Sequence, residues 1–434
     1  MNLRDTLYIS PQGQLTIGGI AASQLAKQYG TPLYVMDEAY IRSVVRAFRD
    51  TIGTHYGAGN MAFASKAFSC KAIYRIMQEE GACIDVVSGG EIYTAKQAGF
   101  DMSRAYFHGN NKLESEIELA LDCGVGTFVV DSYDEMQILN EMCKSRGMRQ
   151  KCLVRINPGV EAHTHTFVQT ATVDSKFGFS VRNGEALRAI RKLVSYENLD
   201  FAGVHSHIGS QIFDKSAFVL AVDVVTDFVQ QLEQAHNIPV REINLGGGFA
   251  VHYTQEDPCY NVQEYCNYVR ALTDALQQAV EKKNITRPYF MIEPGRSIVG
   301  EAGITLYTVG ARKEIPDVRT YIAIDGGMFE NIRPALYDSR YEVVLADRAN
   351  EPAAETVSVA GKCCESGDIL YKDVRLPKAN RGDILAAFTT GAYGYAMSNN
   401  YNRNLTPAVV FVRDGQSYVA VRRQTLDDLV RNDV

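Results

Sequence analysis

Several side chains that could do chemistry stand where an apolar run stops. Lys66 follows MAFAS. An amine in that position either snorkels out to water or, partly desolvated, has its pKa lowered until it can attack a carbonyl and form a Schiff base. Gly246, Gly247 and Gly248 close the run INL, and Glu293, Pro294, Gly295 and Arg296 close YFMI. Glycines let backbone N–H groups approach an anion and Arg296 adds a guanidinium, so two such turns suggest a phosphate pocket, where either alone would be only a tight turn. His163 with His165 and His205 with His207 are both HxH, the spacing that metal-dependent barrel hydrolases use at a strand end. His207 on its own is either a satisfied strand-end histidine or an aromatic face for a planar ring. In GKCCESGDIL, Cys363 and Cys364 precede Glu365 and Asp368. Packing, a metal clip, a redox pair and a catalytic thiol are all open for that pair.

These residues need elements to position them. Between residues 60 and 293 eight short apolar runs read as buried strands: NMAFAS, ACIDVVS, RAYFHG, GTFVVDS, CLVRINP, FAGVHSH, EINLGGG and YFMIEPG. Most gaps carry helical periodicity, as in KAIYRIMQEEG and EYCNYVRALTDALQQAVEKK. Strand and helix alternating eight times predicts a (β/α)8 barrel, with a doubly wound sheet as the rival. Ligands of such barrels bind at the C-terminal ends of the strands, which is where the reactive residues stand. Beyond residue 300 the runs ITLYTVG, TYIAIDGG, YEVVLAD, ETVSVAG, DILAAFTTG, AVVFVRD and SYVAVRR have no helices between them, predicting an antiparallel β domain. The expected division is 1–35 as N-terminal strands packing with that domain, 36–300 as the barrel and 301–434 as the C-terminal β domain.

Composition narrows the possibilities. The 434 residues exceed one ordinary core, and 46% are hydrophobic. Lys plus Arg number 44 against 51 Asp plus Glu, a formal charge of -7 that argues against nucleic acid as a partner. No export signal or membrane span is expected, so the cytoplasm is the default address. Nine cysteines without CxxC spacing predict mostly inert core thiols and no bound metal.

The ordered motifs ASKAF, DVVSGGE, HSHIGSQ, NLGGGF, EPGR, CCESGD and GAYGYAMS resemble those of the fold-type III pyridoxal-phosphate amino-acid decarboxylases, over roughly residues 30–420. That family has an α/β barrel followed by a β domain. The resemblance implies that Lys66 carries pyridoxal 5'-phosphate covalently and that His207 stacks on its ring. Ser210, Gly247 and Gly248 with Pro294, Gly295 and Arg296 would hold the phosphate, joined by Tyr393 from the β domain. Glu293 matches the acid facing the pyridine nitrogen. A carboxylate there keeps the nitrogen protonated, so the ring accepts the electron pair left by departing carbon dioxide, which favours decarboxylation over racemisation.

The family's diaminopimelate-type branch carries RPxLY, present here with Arg333 and Tyr337, and CES where ornithine-type relatives have CDG. A guanidinium pairs with a carboxylate in bidentate fashion. The resemblance therefore implies a substrate with a distal carboxylate read by Arg333, Tyr337 and Arg296 with Tyr393 alongside, and a distal ammonium met by Glu365. The expected reaction is decarboxylation of meso-2,6-diaminopimelate to L-lysine. Cys364 would protonate the α-carbon from the partner subunit of a homodimer with shared sites, a thiol of pKa about 8.5 being mostly protonated at neutral pH. Cys363 would be packing, and the segment 163–178 a lid that excludes water. The rival functions are a metal-dependent barrel hydrolase using the HxH pairs and a non-catalytic homologue that binds a partner enzyme.

Overall fold

The computed structural model describes residues 2–160 and 175–434, so the HTH pair His163 and His165, and the part of the expected lid up to residue 174, lie outside the described residues. The chain divides into two compact units, one made of Val44–Ala250 with Asn261–Gly295, the other of the segment up to Ser43 with Val251–Tyr260 and Arg296–Val434.

The first unit is the expected closed barrel. Its strands are β1 (Gly59–Ala64), β2 (Cys83–Val86), β3 (Ala105–Phe107), β4 (Thr127–Val130), β5 (Gln150–Asn157), β6 (Leu199–His205), β7 (Glu242–Asn244) and β8 (Tyr289–Ile292). Each pairs in parallel with the next, and β8 returns to β1 through Met291 opposite Asn60. The strands read as continuous apolar runs because both faces are buried, as parallel sheets require. Ala62, Cys83, Tyr106, Val129, Leu153, Ala202 and Met291 fill part of the interior, small and large residues alternating as a barrel centre needs. The helices outside begin and end on ordinary chemistry: Ser88, Ser132, Asp214 and Asn261 cap their N-termini through side-chain oxygens, and Gly124 and Asn284 close C-termini in the left-handed region.

The second unit differs from expectation in one respect. Its long sheet runs Ile369–Leu376, Glu355–Ala360, Arg319–Ile324, Gly303–Ile315, Leu33–Asp37, Ala408–Arg413, Gln416–Val421, and it is mixed rather than antiparallel. Arg319–Ile324 pairs in parallel with Glu355–Ala360, and Leu33–Asp37 with Ala408–Arg413. A tight hairpin enforces antiparallel pairing only between neighbours in sequence; these partners are far apart along the chain, so nothing local fixes their direction. Strands Leu7–Ile9, Leu15–Ile17 and Ile20–Ala21 form a small sheet of their own, and their apolar side chains join a core with Val35, Leu306 and Val410.

Gly203 in β6 sits where the wall is tightest. A β-carbon there would lie 1.8 Å from the carbonyl oxygen of Glu242 at the start of β7. Gly203→Ala is therefore expected to destabilise the barrel by about 1–3 kcal/mol through overpacking, seen as a lower urea midpoint of the holoprotein at unchanged slope; an unchanged midpoint would show that β6 and β7 can separate without cost.

Candidate active site

The reactive residues of the barrel collect at the C-terminal ends of its strands. Lys66 is exposed in the 3-10 turn Ser65–Ala67 directly after β1. It lines a cavity of about 350 Å³ with Asp85, His108, Asn110, Arg155, Phe177, His205, His207 and Glu293, a volume in the range of small-ligand sites. Glu293, one residue beyond β8, is 6% exposed. Its Oε2 accepts from His205 Nε2 at 3.0 Å, and its Oε1 accepts from Asn244 Nδ2 at 2.7 Å, with His108 Nε2 2.8 Å away. Burial alone would raise this carboxyl, but the two histidines outweigh it and hold Glu293 well below the usual carboxylate range. Burial lowers His205 to about 4, so at neutral pH it is an uncharged donor with its proton on Nε2. Asp85, whose Oδ1 is 3.9 Å from His108 Nε2, is pushed the other way, upward, mainly by burial. Two neighbouring carboxyls are thus driven apart in acidity by what surrounds them.

His207 follows β6 by two residues. Burial, then the charges of Lys66 and Arg155, lower its pKa well below the ordinary histidine value, and its Nδ1 accepts the Gly247 N–H at 3.1 Å. The ring is neutral with its proton on Nε2, which suits a flat face against an aromatic partner better than a charge.

The glycines form a cradle that side chains would fill. A β-carbon on Gly247 would lie 2.2 Å from the Glu293 oxygen, and one on Gly248, at φ +114°, 2.5 Å from the Gly209 oxygen next to Ser210. A β-carbon on Gly246, where the chain bends at φ +67°, would lie 2.5 Å from the Ser206 carbonyl oxygen and 2.9 Å from His207 Nδ1. The Glu293 N–H donates to the Gly246 oxygen at 2.8 Å and the Ala64 N–H to the Pro294 oxygen at 3.2 Å, so the GGG turn, the EPG turn and the Lys66 turn are tied together. Gly295 packs against Ala64, where a β-carbon would come within 2.8 Å of its own. An amine, an ionised carboxylate and a neutral imidazole lining one cavity, with a glycine cradle tied to the carboxylate's turn, fit pyridoxal phosphate: aldehyde, ring nitrogen, ring face and phosphate would each have a counterpart.

The remaining expected residues lie in the β unit. Arg296 and Arg333 are 8% and 7% exposed. Both donate through Nη1 to the Tyr253 hydroxyl, at 2.6 and 2.8 Å, and Arg333 Nη1 also reaches the Tyr341 hydroxyl at 3.0 Å. Their guanidinium carbons lie 4.9 and 5.8 Å from the centre of the Tyr393 ring, whose backbone holds the rarely populated φ of +60°. Tyr337 closes the one-turn helix Arg333–Tyr337 and is half-buried. Cys363 is buried; Cys364 and Glu365 are exposed. The turn that presents them is clamped by Asp368, which accepts the Met328 and Cys363 N–H groups at 2.7 Å each, and the Cys364 N–H donates to Asn402 Oδ1 at 2.8 Å.

The HxH spacing does not bring His205 and His207 onto one point. Among the described residues the trio able to hold a metal is His108, His205 and Glu293, their ligand atoms within 4.8 Å of one another, and those atoms already serve the carboxylate. His108 and Asn244 were missing from the expected site. Each stands at or just past the last residue of a barrel strand, the signal that pointed to Lys66 and Glu293. Tyr253 was missed as well, since HYTQEDP carries no periodicity.

The family described as "Pyridoxal-dependent decarboxylase, pyridoxal binding domain" matches residues 39–300. The diaminopimelate decarboxylase of Bacillus subtilis is 47% identical over 434 residues, covering 100% of this chain and 98% of its own. Among solved structures, diaminopimelate decarboxylase from M. jannaschii in co-complex with L-lysine is 35% identical at a TM-score of 0.90, covering 99% of this chain and 98% of that one. The enzyme from Helicobacter pylori complexed with L-lysine is 29% identical at 0.85, covering 94% and 98%. With a family match over residues 39–300 and full-length likeness of this order, the chain belongs to the pyridoxal-dependent decarboxylases, in the family of the diaminopimelate decarboxylases.

Proposed function

We propose that this chain removes the carboxylate from one stereocentre of meso-2,6-diaminopimelate, yielding L-lysine and carbon dioxide, the last step of lysine biosynthesis. Glu293 carries the chemical half of that proposal: a fully buried carboxylate held ionised by His205, His108 and Asn244 has its use in keeping a proton on the ring nitrogen of the cofactor. Pyridoxal phosphate, when bound, supplies the conjugated ring that takes up the electron pair released as the bond between Cα and the carboxylate breaks.

The chain's own residues do the rest. Lys66 Nζ is the amine that would hold the cofactor's aldehyde carbon. Neutral His207 would present its ring face to the cofactor, Ser210, Gly247, Gly248 and the Pro294–Arg296 turn would hold its phosphate, and Tyr393 is the further residue assigned to that phosphate. Arg333, with Arg296 and Tyr337, takes the distal carboxylate, and Glu365 the distal ammonium. Buried guanidiniums favour a substrate with that second carboxylate, since an ornithine or lysine leaves them without their anion. Cys364 Sγ delivers the proton to Cα. Its exposure beside Glu365, on a turn clamped by Asp368, supports delivery into the site of a second copy, so the working unit is a homodimer of shared sites. No helix among the described residues is long and apolar enough to cross a membrane, and the small charged substrate supports a cytoplasmic address.

Three measurements check these assignments. Carbon dioxide release compared across meso-diaminopimelate, ornithine, arginine and carboxynorspermidine should favour the first by orders of magnitude in kcat/KM; preference for a substrate without a distal carboxylate would sink the role of Arg333. Glu293→Gln should retain the cofactor's absorbance yet lower kcat on the order of 100-fold or more, the scale of losing one preorganised electrostatic group, whereas near-normal kcat would remove Glu293 from the ring nitrogen. Mixing Lys66→Ala with Cys364→Ala subunits should restore about a quarter of wild-type activity, since half of randomly paired dimers are mixed and each has one intact site. No recovery despite demonstrated subunit exchange would place lysine and thiol in one chain.

A further inference from the structure

The segment Val251–Tyr260 lies between β7 and the helix Val262–Lys283 in sequence but belongs to the β unit. It carries Tyr253, 9% exposed, on a tight turn: the Asp257 carboxylate accepts the N–H groups of Tyr253 and Thr254 at 3.0 Å each. The Tyr253 ring packs edge-on against Tyr341, centroids 5.4 Å apart at 89°, so the phenol has one place to be. Its oxygen accepts from Arg296 and from Arg333. A phenol oxygen accepts two hydrogen bonds and donates one. Both acceptor positions are taken by cations, and among the described residues nothing accepts the proton of the O–H. Nor does any carboxylate among them come within ion-pair distance of Arg333.

Burying the Arg333 cation against the neutral hydroxyls of Tyr253 and Tyr341 is costly unless an anion completes the set. An O–H wedged between two guanidiniums and lacking an acceptor points toward that same anion. Burial would raise the Tyr253 pKa, yet the charges of Arg296 and Arg333 prevail and bring it below the ordinary tyrosine value, which makes the phenol a stronger donor than usual.

We infer that Tyr253 is a third carboxylate-binding residue of the substrate site, its O–H donating to the carboxylate that Arg296 and Arg333 hold while its oxygen sets the spacing of the two guanidiniums. This rests on the proposal that the substrate carries a distal carboxylate. It also gives Arg296 a function on the substrate side, since Arg296 and Arg333 share one oxygen.

The test uses holoenzyme and the Tyr253→Phe variant, which removes the hydroxyl and keeps the ring. Two binding probes differ only by the carboxylate, L-lysine and cadaverine, each read by the absorbance change of the bound cofactor. The expected result is KM for meso-diaminopimelate and Kd for L-lysine both raised about 10- to 100-fold, the range for a hydrogen bond to a charged group, with kcat and the cadaverine Kd unchanged. Equal weakening of L-lysine and cadaverine would mean that the phenol merely supports the fold. Unchanged affinity for L-lysine would mean that it only packs. Should wild-type enzyme release no carbon dioxide from meso-diaminopimelate, the substrate proposal fails by itself, and the L-lysine and cadaverine pair still decides whether Tyr253 reads a carboxylate.

Discussion

A carboxylate that must stay charged while buried is the constraint around which the barrel's mouth is built. Removing Glu293 from water costs several kcal/mol unless polar groups replace the solvent, and here His205 and Asn244 donate to it while His108 Nε2 lies 2.8 Å away, at the ends of β6, β7 and β3. Four strands are needed to satisfy one acid. None of these side chains is near Glu293 in sequence, so barrel closure is what gives the acid its strength, and any loosening of the wall would let Glu293 take up a proton.

The β unit handles the opposite charge in the opposite way. Arg333 is as buried as Glu293, but its partners are two tyrosine hydroxyls rather than an acid. In the barrel a buried charge is satisfied from within and its reactivity is fixed in advance; in the β unit a buried charge is left incomplete and asks for a ligand. The Asp368 clamp is a third solution. Its carboxylate spends its acceptors on two backbone N–H groups, which fixes how the loop between buried Cys363 and exposed Cys364 turns.

The barrel was legible because its signal is repetitive: eight apolar runs, most of them followed by a helical pattern, all became strands. The eight-residue strand Ile369–Leu376 was not, because Lys372 and Asp373 interrupt its alternation and Asp373 takes a φ of +53°. Parallel pairings in the β unit left no trace either, since pattern reports which face is buried and not which way a distant partner runs. Motif residues such as Lys66, His207 and Glu293 could be named because strand ends concentrate chemistry. Asn244 and His108 stood at equally good positions, but an amide and a single histidine there look like ordinary polar residues until the acid they serve is in place. Tyr253 was out of reach, being in a loop whose membership in the β unit is a matter of contacts alone.

The sheet order also constrains how the protein is made. Leu33–Asp37 lies between Gly303–Ile315 and Ala408–Arg413, so a strand synthesised early waits for two neighbours that leave the ribosome only after every barrel strand has emerged. The barrel unit, by contrast, is complete once Gly295 is out. Synthesis on the ribosome thus favours a barrel that closes first while an apolar N-terminal strand, LYVMD, stays without its sheet, and nascent chains are most exposed to misassociation over that interval.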